Sequence, residues 1–159
     1  MYPLKHKDSV IKASQKYNVN KELIFAVIKC ESGFDYKACS HANAKGLMQI
    51  TPETFNWLKS CYTHEDNLQE SDLEDPDINI SYGTLFISIL NKKYKSKSAV
   101  LSAYNAGMSI VSKWLSNKDY SKDGLSIDNI PYEETRKYVA RVKKAENIYK
   151  KLYFNEGDC

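Results

Sequence analysis

Glu31 is the residue whose position most strongly suggests chemistry. It follows an almost unbroken apolar run, and Gly33 is expected to stop the helix two residues later, so Glu31 falls in the last helical turn. Partial burial raises the pKa of a carboxyl group, and so does the negative end of a helix dipole. A glutamic acid whose pKa is raised to roughly 6 can protonate a glycosidic oxygen near neutral pH. From position alone, the alternative is an ordinary glutamate on the polar side of an amphipathic helix.

A second cluster of polar and adaptable residues occupies 44–50. Gly46 permits close approach of the backbone, and Met48 offers a soft apolar surface. The amide of Gln49 can both donate to and accept from a sugar acetamido group or hydroxyl. Taken singly, this cluster is better explained as a loop with one core methionine and a solvated glutamine.

Two more clusters lie in the second half of the chain. At 103–107, Tyr104 and Asn105 stand beside alanines and a glycine, which suits an aromatic wall with a polar tip. At 130–139, acidic residues are followed by basic ones, which is typical of a stable helix N-terminus. Taken singly, both clusters are explained by helix ends without any function.

Apolar periodicity predicts helices almost throughout, and no alternating strand pattern of useful length appears. Loops are expected at 33–50, 62–77 and 117–130. One helix is predicted from an Asn20 cap to Gly33, a second from Thr51-Pro52-Glu53 onward, and a third after Asp75-Pro76-Asp77, with Tyr82, Leu85, Phe86, Ile89 and Leu90 as its apolar face. A fourth helix is predicted from about Ser98 to Gly107, and a short one around Val111, Trp114 and Leu115. The last helix is predicted from Pro131 to about Tyr153, with Tyr138, Val142, Ala145, Tyr149 and Leu152 on one face. The sequence therefore predicts a mainly α, single domain over residues 1–159, with a frayed tail at 155–159.

Composition limits the classes of protein that fit. The 159 residues are 42% hydrophobic and 27% charged, with a net charge of +3, as expected of one soluble globular domain. No Lys/Arg run suggests a nucleic-acid partner. No stretch approaches the ~20 apolar residues of a membrane span. The N-terminus lacks the apolar core of a signal peptide, so no export segment is expected within this chain.

The cysteines and histidines do not form metal-binding motifs. No CxxC pair or HExxH motif occurs, so neither a metal nor another cofactor is expected. The favoured interpretation of Cys30, Cys39, Cys61 and Cys159 is four free thiols, with Cys30 as a small core residue. A disulfide between Cys30 and Cys39 is the alternative.

Together and in this order, the clusters resemble the soluble-type lytic transglycosylases, the SLT domains of glycoside hydrolase family 23. The resemblance covers roughly residues 8 to 150, and its specificity comes from the ordered set, since each motif alone is weak. The matching motifs are Glu31-Ser32-Gly33-Phe34, Gly46-Leu47-Met48-Gln49-Ile50-Thr51-Pro52, Asp75-Pro76 with Asn79-Ile80 and Tyr82-Gly83, Ala103-Tyr104-Asn105-Ala106-Gly107, and Ile130-Pro131-Tyr132 with Glu134-Thr135-Arg136 and Tyr138-Val139. This resemblance implies a lysozyme-like fold with two helical lobes around a substrate cleft.

The resemblance also implies roles for the matching positions. Glu31 would be the catalytic acid and then base. The other implied substrate-binding residues are Ser40 near the cleaved bond, Met48 and Gln49 along the cleft with Gln49 holding an N-acetyl sugar, Tyr104 supporting Glu31 and the sugar, Asn105 in the cleft wall, Glu134 on the peptide-bearing side, and Tyr138 facing the site. The implied partner is the peptidoglycan glycan strand, acted on by a monomer in the cell envelope. A membrane anchor, if used, would lie outside this chain.

Most glycosidases need two carboxylates, but the sequence offers only one that is well placed. Asp35 is close to Glu31 in the sequence, yet its loop position gives no reason for it to face Glu31. A single-carboxylate route is available if the sugar's own 6-hydroxyl attacks, which forms a 1,6-anhydro ring without water. The alternatives are a hydrolytic muramidase resembling goose-type lysozyme, a non-catalytic wall-binding module, and a weaker adaptor role.

Overall fold

The computed structural model describes residues 1–155, and helices dominate this part of the chain, as the sequence predicts. Two isolated antiparallel bridges, Cys39 to Lys45 and Lys45 to Ile50, are its only β-type pairings. The helices are α1 (Lys7–Tyr17), α2 (Lys21–Ser32), α3 (Pro52–Leu58), α4 (Pro76–Lys93), α5 (Lys97–Ala106), α6 (Met108–Leu115) and α7 (Glu133–Tyr153). A π-helical turn at Lys59–Thr63 and a 3-10 turn at Glu70–Glu74 precede α4. The predicted frayed tail lies, from residue 156 onward, outside the described residues.

Helix α4 runs through the centre of the fold and packs against α1 and α5. It begins where the sequence predicts, because the Asp75 carboxylate accepts hydrogen bonds from the amides of Asp77 and Ile78, and Pro76 occupies the first turn. The prediction of a single apolar face was too narrow, since Thr84 and Ser88 are also buried. The helix is enclosed on most sides, so small polar side chains enter the core.

Helices α2 and α7 pack against each other, and α5 packs on α7. Residues 23–28 of α2 are buried. Helix α7 begins at Glu133 rather than Pro131, because Tyr132 keeps an extended backbone. The predicted buried face of α7 holds as far as Tyr149, but Leu152 is 58% exposed because the last turn extends beyond the core.

Three local features differ from the sequence predictions. Helix α1 was not predicted, because only Val10 and Ala13 are buried in it and its apolar pattern is too sparse to detect. Asn20 occupies the cap position of α2, but its side chain makes no capping hydrogen bond. The expected loop at 62–77 contains the 3-10 turn, which buries Leu73.

Cysteine pairing and membrane insertion can be assessed for residues 1–155. Cys30, Cys39 and Cys61 are free thiols, as favoured from the sequence, and the alternative Cys30–Cys39 disulfide is not formed. Cys30 is only partly buried and packs against the core rather than within it. Cys159 lies outside the described residues. None of the helices in this range is long and apolar enough to cross a membrane.

Asn79 of α4 fixes the irregular segment 33–50 to the centre of the molecule. Its side chain is fully buried. The Asn79 amide donates hydrogen bonds of 2.8 Å to the carbonyls of Lys45 and Leu73, and its Oδ1 accepts one of 2.8 Å from the amide of Met48. Gly46 has φ +78° and lies so close that a Cβ atom there would overlap Asn79. The helix and the segment therefore depend on one buried amide.

Replacing Asn79 by aspartate should destabilise the fold by about 2–4 kcal/mol, because a buried carboxylate cannot donate to two carbonyls. The measurement is urea-induced unfolding of Asn79→Asp at neutral pH. Asn91→Asp is the matched control, since Asn91 is exposed on the same helix. Equal, small losses of unfolding free energy in the two variants would contradict the role assigned to Asn79.

Candidate functional site

Glu31 lies in the last turn of α2, which Gly33 ends with a left-handed backbone at φ +59°. The carboxyl group is partly buried, and burial raises its pKa from the ordinary 4.5 to about 7. The charge of Arg141 and the hydroxyl of Tyr138 act in the opposite direction and lower this pKa. Near neutral pH, a substantial fraction of Glu31 is therefore protonated and able to donate a proton.

Two tyrosines from different helices flank Glu31. The hydroxyl of Tyr104, on α5, donates a 2.7 Å hydrogen bond to the carbonyl of Met48. The side chain of Tyr138, on α7, is almost fully buried, and its hydroxyl influences Glu31 without making a hydrogen bond of full geometry. Burial and the charge of Glu31 raise the pKa values of both tyrosines well above 10. Both phenols thus remain neutral and can act as hydrogen-bond donors.

Charged groups on α7 adjust the proton affinity of Glu31. The guanidinium of Arg141 lowers the pKa of Glu31, whereas the carboxylate of Glu134 raises it. Both side chains are exposed, and together with Lys137 and Ala140 they line a shallow cavity of about 440 Å³. The charged groups on α7 that act on Glu31 therefore lie on the solvent side of the site, whereas Tyr138 of the same helix is buried.

The segment 33–50 is tied to the end of α2 beside Glu31. The hydroxyl of Ser32 donates a 2.7 Å hydrogen bond to the carbonyl of Leu47, and accepts one from the amide of Phe34. The side-chain Nε2 of Gln49 donates to the carbonyls of Ala38 and Gly46, at 3.1 and 3.0 Å. These bonds hold the segment against the helix that carries Glu31.

The structure brings some of the predicted site residues close to Glu31 and leaves others farther from it. Glu31, Tyr104 and Tyr138 come together. Asn105 accepts a 2.8 Å hydrogen bond from the hydroxyl of Thr135, which joins α5 to α7, and its place in a cleft wall stays a prediction. Glu134 is near enough to act on Glu31 by its charge.

The side chain of Met48 departs from the expectation, whereas the expected role of Ser40 stays a prediction. The side chain of Met48 is fully buried, so it lies inside the wall rather than on an exposed cleft surface, and only its carbonyl reaches Tyr104. Ser40 is exposed in a turn, where its hydroxyl accepts a hydrogen bond from the amide of Ala44. It makes no hydrogen bond to Glu31.

Sequence reasoning missed three residues that shape the site. Arg141 lies one helical turn after Tyr138, a spacing that places both on one side of α7 and could have indicated it. Asn79 and Ser32 were noted only as parts of motifs, and nothing in their spacing shows which backbone groups they bind. In residues 1–155, no group of three His, Cys, Asp or Glu side chains lies close enough together to hold a metal ion.

Comparison with known proteins finds similarity to lytic transglycosylases both in a family model and in individual relatives. Residues 8–127 match the family model described as the transglycosylase SLT domain. A provisionally named soluble lytic murein transglycosylase of Haemophilus influenzae is 37% identical over 91% of this chain and 25% of its own length. The membrane-bound lytic murein transglycosylase C of Cronobacter sakazakii is 30% identical over 89% of this chain and 45% of its own length. The chain thus spans a quarter to under half the length of these relatives.

Two solved structures share the fold. An inactive mutant of the lytic transglycosylase Slt from Pseudomonas aeruginosa, with one glutamate replaced by glutamine, superposes with a TM-score of 0.83, at 28% identity over 94% of this chain and 24% of its own. The complex of the 70-kDa soluble lytic transglycosylase with bulgecin A gives a TM-score of 0.85, at 26% identity over 99% of this chain and 25% of its own. The expected lysozyme-like transglycosylase fold is therefore confirmed.

The raised pKa of Glu31 predicts how the stability of the fold depends on pH. Below about pH 4.5 the carboxyl is protonated in both the folded and unfolded states and costs nothing. Between about pH 4.5 and 7 only the unfolded state loses the proton, so the wild type loses stability relative to Glu31→Gln. The difference should reach roughly 3 kcal/mol once the pH is well above 7.

The measurement is chemical unfolding of wild type and Glu31→Gln at pH 4 and pH 8. Glu74→Gln, which removes an exposed carboxylate from the 3-10 turn, controls for the loss of one negative charge. An offset between wild type and Glu31→Gln that stays the same at both pH values would show that burial does not raise this pKa.

Proposed function

Because the chain belongs to the transglycosylase SLT domain family, we propose that it cleaves peptidoglycan as a lytic transglycosylase. The bond cleaved is the β-1,4 link from N-acetylmuramic acid to N-acetylglucosamine. The product is a glycan end closed as 1,6-anhydro-N-acetylmuramic acid. Glu31 acts as the only acid and base.

The observation that carries this proposal is a glutamic acid that holds its proton near neutral pH and is flanked by two neutral tyrosines. A residue that first donates and then accepts a proton works best when its pKa is close to the working pH. The inactive glutamate-to-glutamine mutant of the Pseudomonas enzyme supports an essential glutamate in the family. In this chain, Glu31 is the glutamate whose surroundings suit that role.

The proposed reaction has two proton transfers. Protonated Glu31 gives its proton to the glycosidic oxygen as the bond to the muramic C1 breaks, and N-acetylglucosamine leaves with a free 4-hydroxyl. The 2-acetamido group of the muramic sugar stabilises the positive charge that develops at C1. The Glu31 carboxylate then takes the proton of the muramic 6-hydroxyl, whose oxygen bonds to C1. The enzyme returns to its starting state, and no water is consumed.

The surroundings of Glu31 favour a single-carboxylate route. Asp35 is exposed, and its carboxylate accepts a 2.9 Å hydrogen bond from the amide of Lys37 within its own turn. Glu134 acts on Glu31 through its charge, from the first turn of α7. In a two-carboxylate mechanism the second group must face the sugar directly. Glu134 is the first candidate for a second carboxylate if hydrolysis occurred instead, because its charge acts on Glu31.

The remaining predicted residues fit roles in holding the substrate. The Nε2 atom of Gln49 is occupied by two backbone carbonyls, which leaves its Oε1 to accept a hydrogen bond from a sugar acetamido group. The Tyr138 hydroxyl, which makes no full hydrogen bond within the described residues, can donate to the reacting sugar or to Glu31, whereas Tyr104 donates its proton to the carbonyl of Met48 and can accept a hydrogen bond from the sugar. Asn105 secures the wall between α5 and α7, and exposed Ser40 lies on the segment that borders the site. Met48 contributes indirectly, because its backbone carbonyl accepts the hydrogen bond from Tyr104.

The names of the relatives suggest where the protein works. They act on murein, and one is described as membrane-bound. We therefore propose that this chain acts in the cell envelope on the glycan strands of peptidoglycan, and the expectation that it acts as a monomer stays a prediction.

Mass spectrometry of sugars released from purified peptidoglycan tests the proposal. The wild type should release muropeptides that lack one water and carry no reducing end. Glu31→Gln should lose at least about a thousandfold in rate, because the amide cannot donate the proton or take it back. Glu74→Gln, exposed on the 3-10 turn, should keep the wild-type rate.

Reducing muropeptides from the wild type would contradict the transglycosylase reaction and identify a hydrolytic muramidase with Glu134 as the first residue to replace. Binding to peptidoglycan without release of any sugar would identify a binding module. Unchanged release by Glu31→Gln would refute the assignment of the catalytic residue.

A further inference from the structure

A continuous row of aromatic rings leads away from the proposed reaction centre. It consists of Tyr104, Phe86, Trp57 and Tyr62, and we call it the aromatic row. The ring centroids of Tyr104 and Phe86 are 5.3 Å apart, those of Phe86 and Trp57 are 6.2 Å apart, and those of Trp57 and Tyr62 are 5.4 Å apart. The row thus connects the tyrosine beside Glu31 to the surface formed by α3 and the π-helical turn.

Beyond Phe86, exposure increases along the aromatic row toward the surface of α3 and the π-helical turn. Phe86 is buried, Trp57 is partly exposed, and Tyr62 is 46% exposed. The Trp57 and Tyr62 rings meet edge to face at 77°. Two adjacent aromatic rings that both remain accessible to solvent offer an apolar surface for a ligand.

The segment that carries Tyr62 is held firmly in place. It belongs to the π-helical turn Lys59–Thr63, a type of turn often found at functional sites. The Thr63 hydroxyl lies 2.7 Å from the hydroxyl of Tyr82, which donates a 3.0 Å hydrogen bond to Glu65. The amine of Lys59 donates to the carbonyl of Leu68 at 2.7 Å. A ring held in position by its surroundings loses little freedom when it binds a ligand.

We propose that Trp57 and Tyr62 form an additional glycan-binding subsite, which binds sugar rings of the strand beyond the bond next to Glu31. This proposal rests on the proposed function, because that function supplies the polysaccharide. Pyranose rings present C–H faces that pack against aromatic rings, while their hydroxyls remain at the edges.

The subsite predicts that affinity increases with the length of the glycan. A short fragment fills the positions around Glu31, whereas a longer strand also reaches Trp57 and Tyr62. The loss of one stacking ring should therefore weaken the binding of long strands more than that of short ones.

The test compares KM for peptide-free glycan strands and for a peptide-free tetrasaccharide, both prepared from peptidoglycan. Tyr62→Ala and Trp57→Ala should raise KM for the long strands roughly three- to tenfold more than KM for the tetrasaccharide. Tyr153→Ala is the matched control, because Tyr153 is 45% exposed but lies about 22 Å along α7 from Tyr138. An equal change in KM for both substrates, or no change, would overturn the subsite.

A binding measurement separates this inference from the proposed reaction. Trp57 fluorescence in the Glu31→Gln protein should change when peptide-free strands are added, and Trp57→Phe in the same protein should abolish the change. The second tryptophan, Trp114, is only 6% exposed and lies at the contact with Tyr132. If the wild type cleaves nothing, the proposed function fails, yet the fluorescence change still supports the subsite. The lack of a change with Trp57 present refutes it.

Discussion

The site depends on a carboxyl group held at the end of a buried helix. Helix α2 is buried along residues 23–28, so the core fixes where its last turn lies, and Glu31 meets α7 and the irregular segment there. Burial makes the charged form of this carboxyl unfavourable, and the exposed Arg141 offsets the effect only in part. The fold thus bears an energetic cost at one residue, as is common where a group must exchange protons near neutral pH.

The rest of the site consists of hydrogen bonds that hold this carboxyl and its neighbours in fixed positions relative to one another. The central helix α4 holds the irregular segment through Asn79, and Ser32 ties the same segment to the end of α2. Tyr104 then reaches across from α5 to the carbonyl of Met48. Each tie uses a side chain on a rigid helix and a carbonyl or amide in the segment. A segment without regular structure is therefore held in position by side chains from three helices.

Much of this arrangement could be predicted from local sequence signals. Glycine and proline mark the ends of most helices, and an acidic residue beside apolar ones singles out Glu31. Helix α1 escaped prediction because its stability comes from contacts with α4 rather than from its own apolar pattern. The burial of Met48 also escaped, since it depends on how the irregular segment packs against Gly83 of α4. Such contacts follow from tertiary packing, which the spacing of residues along the chain does not encode.

The most direct test of the central claim is an NMR titration of the Glu31 side-chain carboxyl. Protein labelled with ¹³C at glutamate would be followed from pH 3 to pH 9, and the signal missing in Glu31→Gln would assign the resonance. The account predicts a midpoint of about 7, because burial disfavours the charged carboxylate. A midpoint near the ordinary 4.5 would show that Glu31 is ionised at neutral pH, and it would contradict its role as the proton donor.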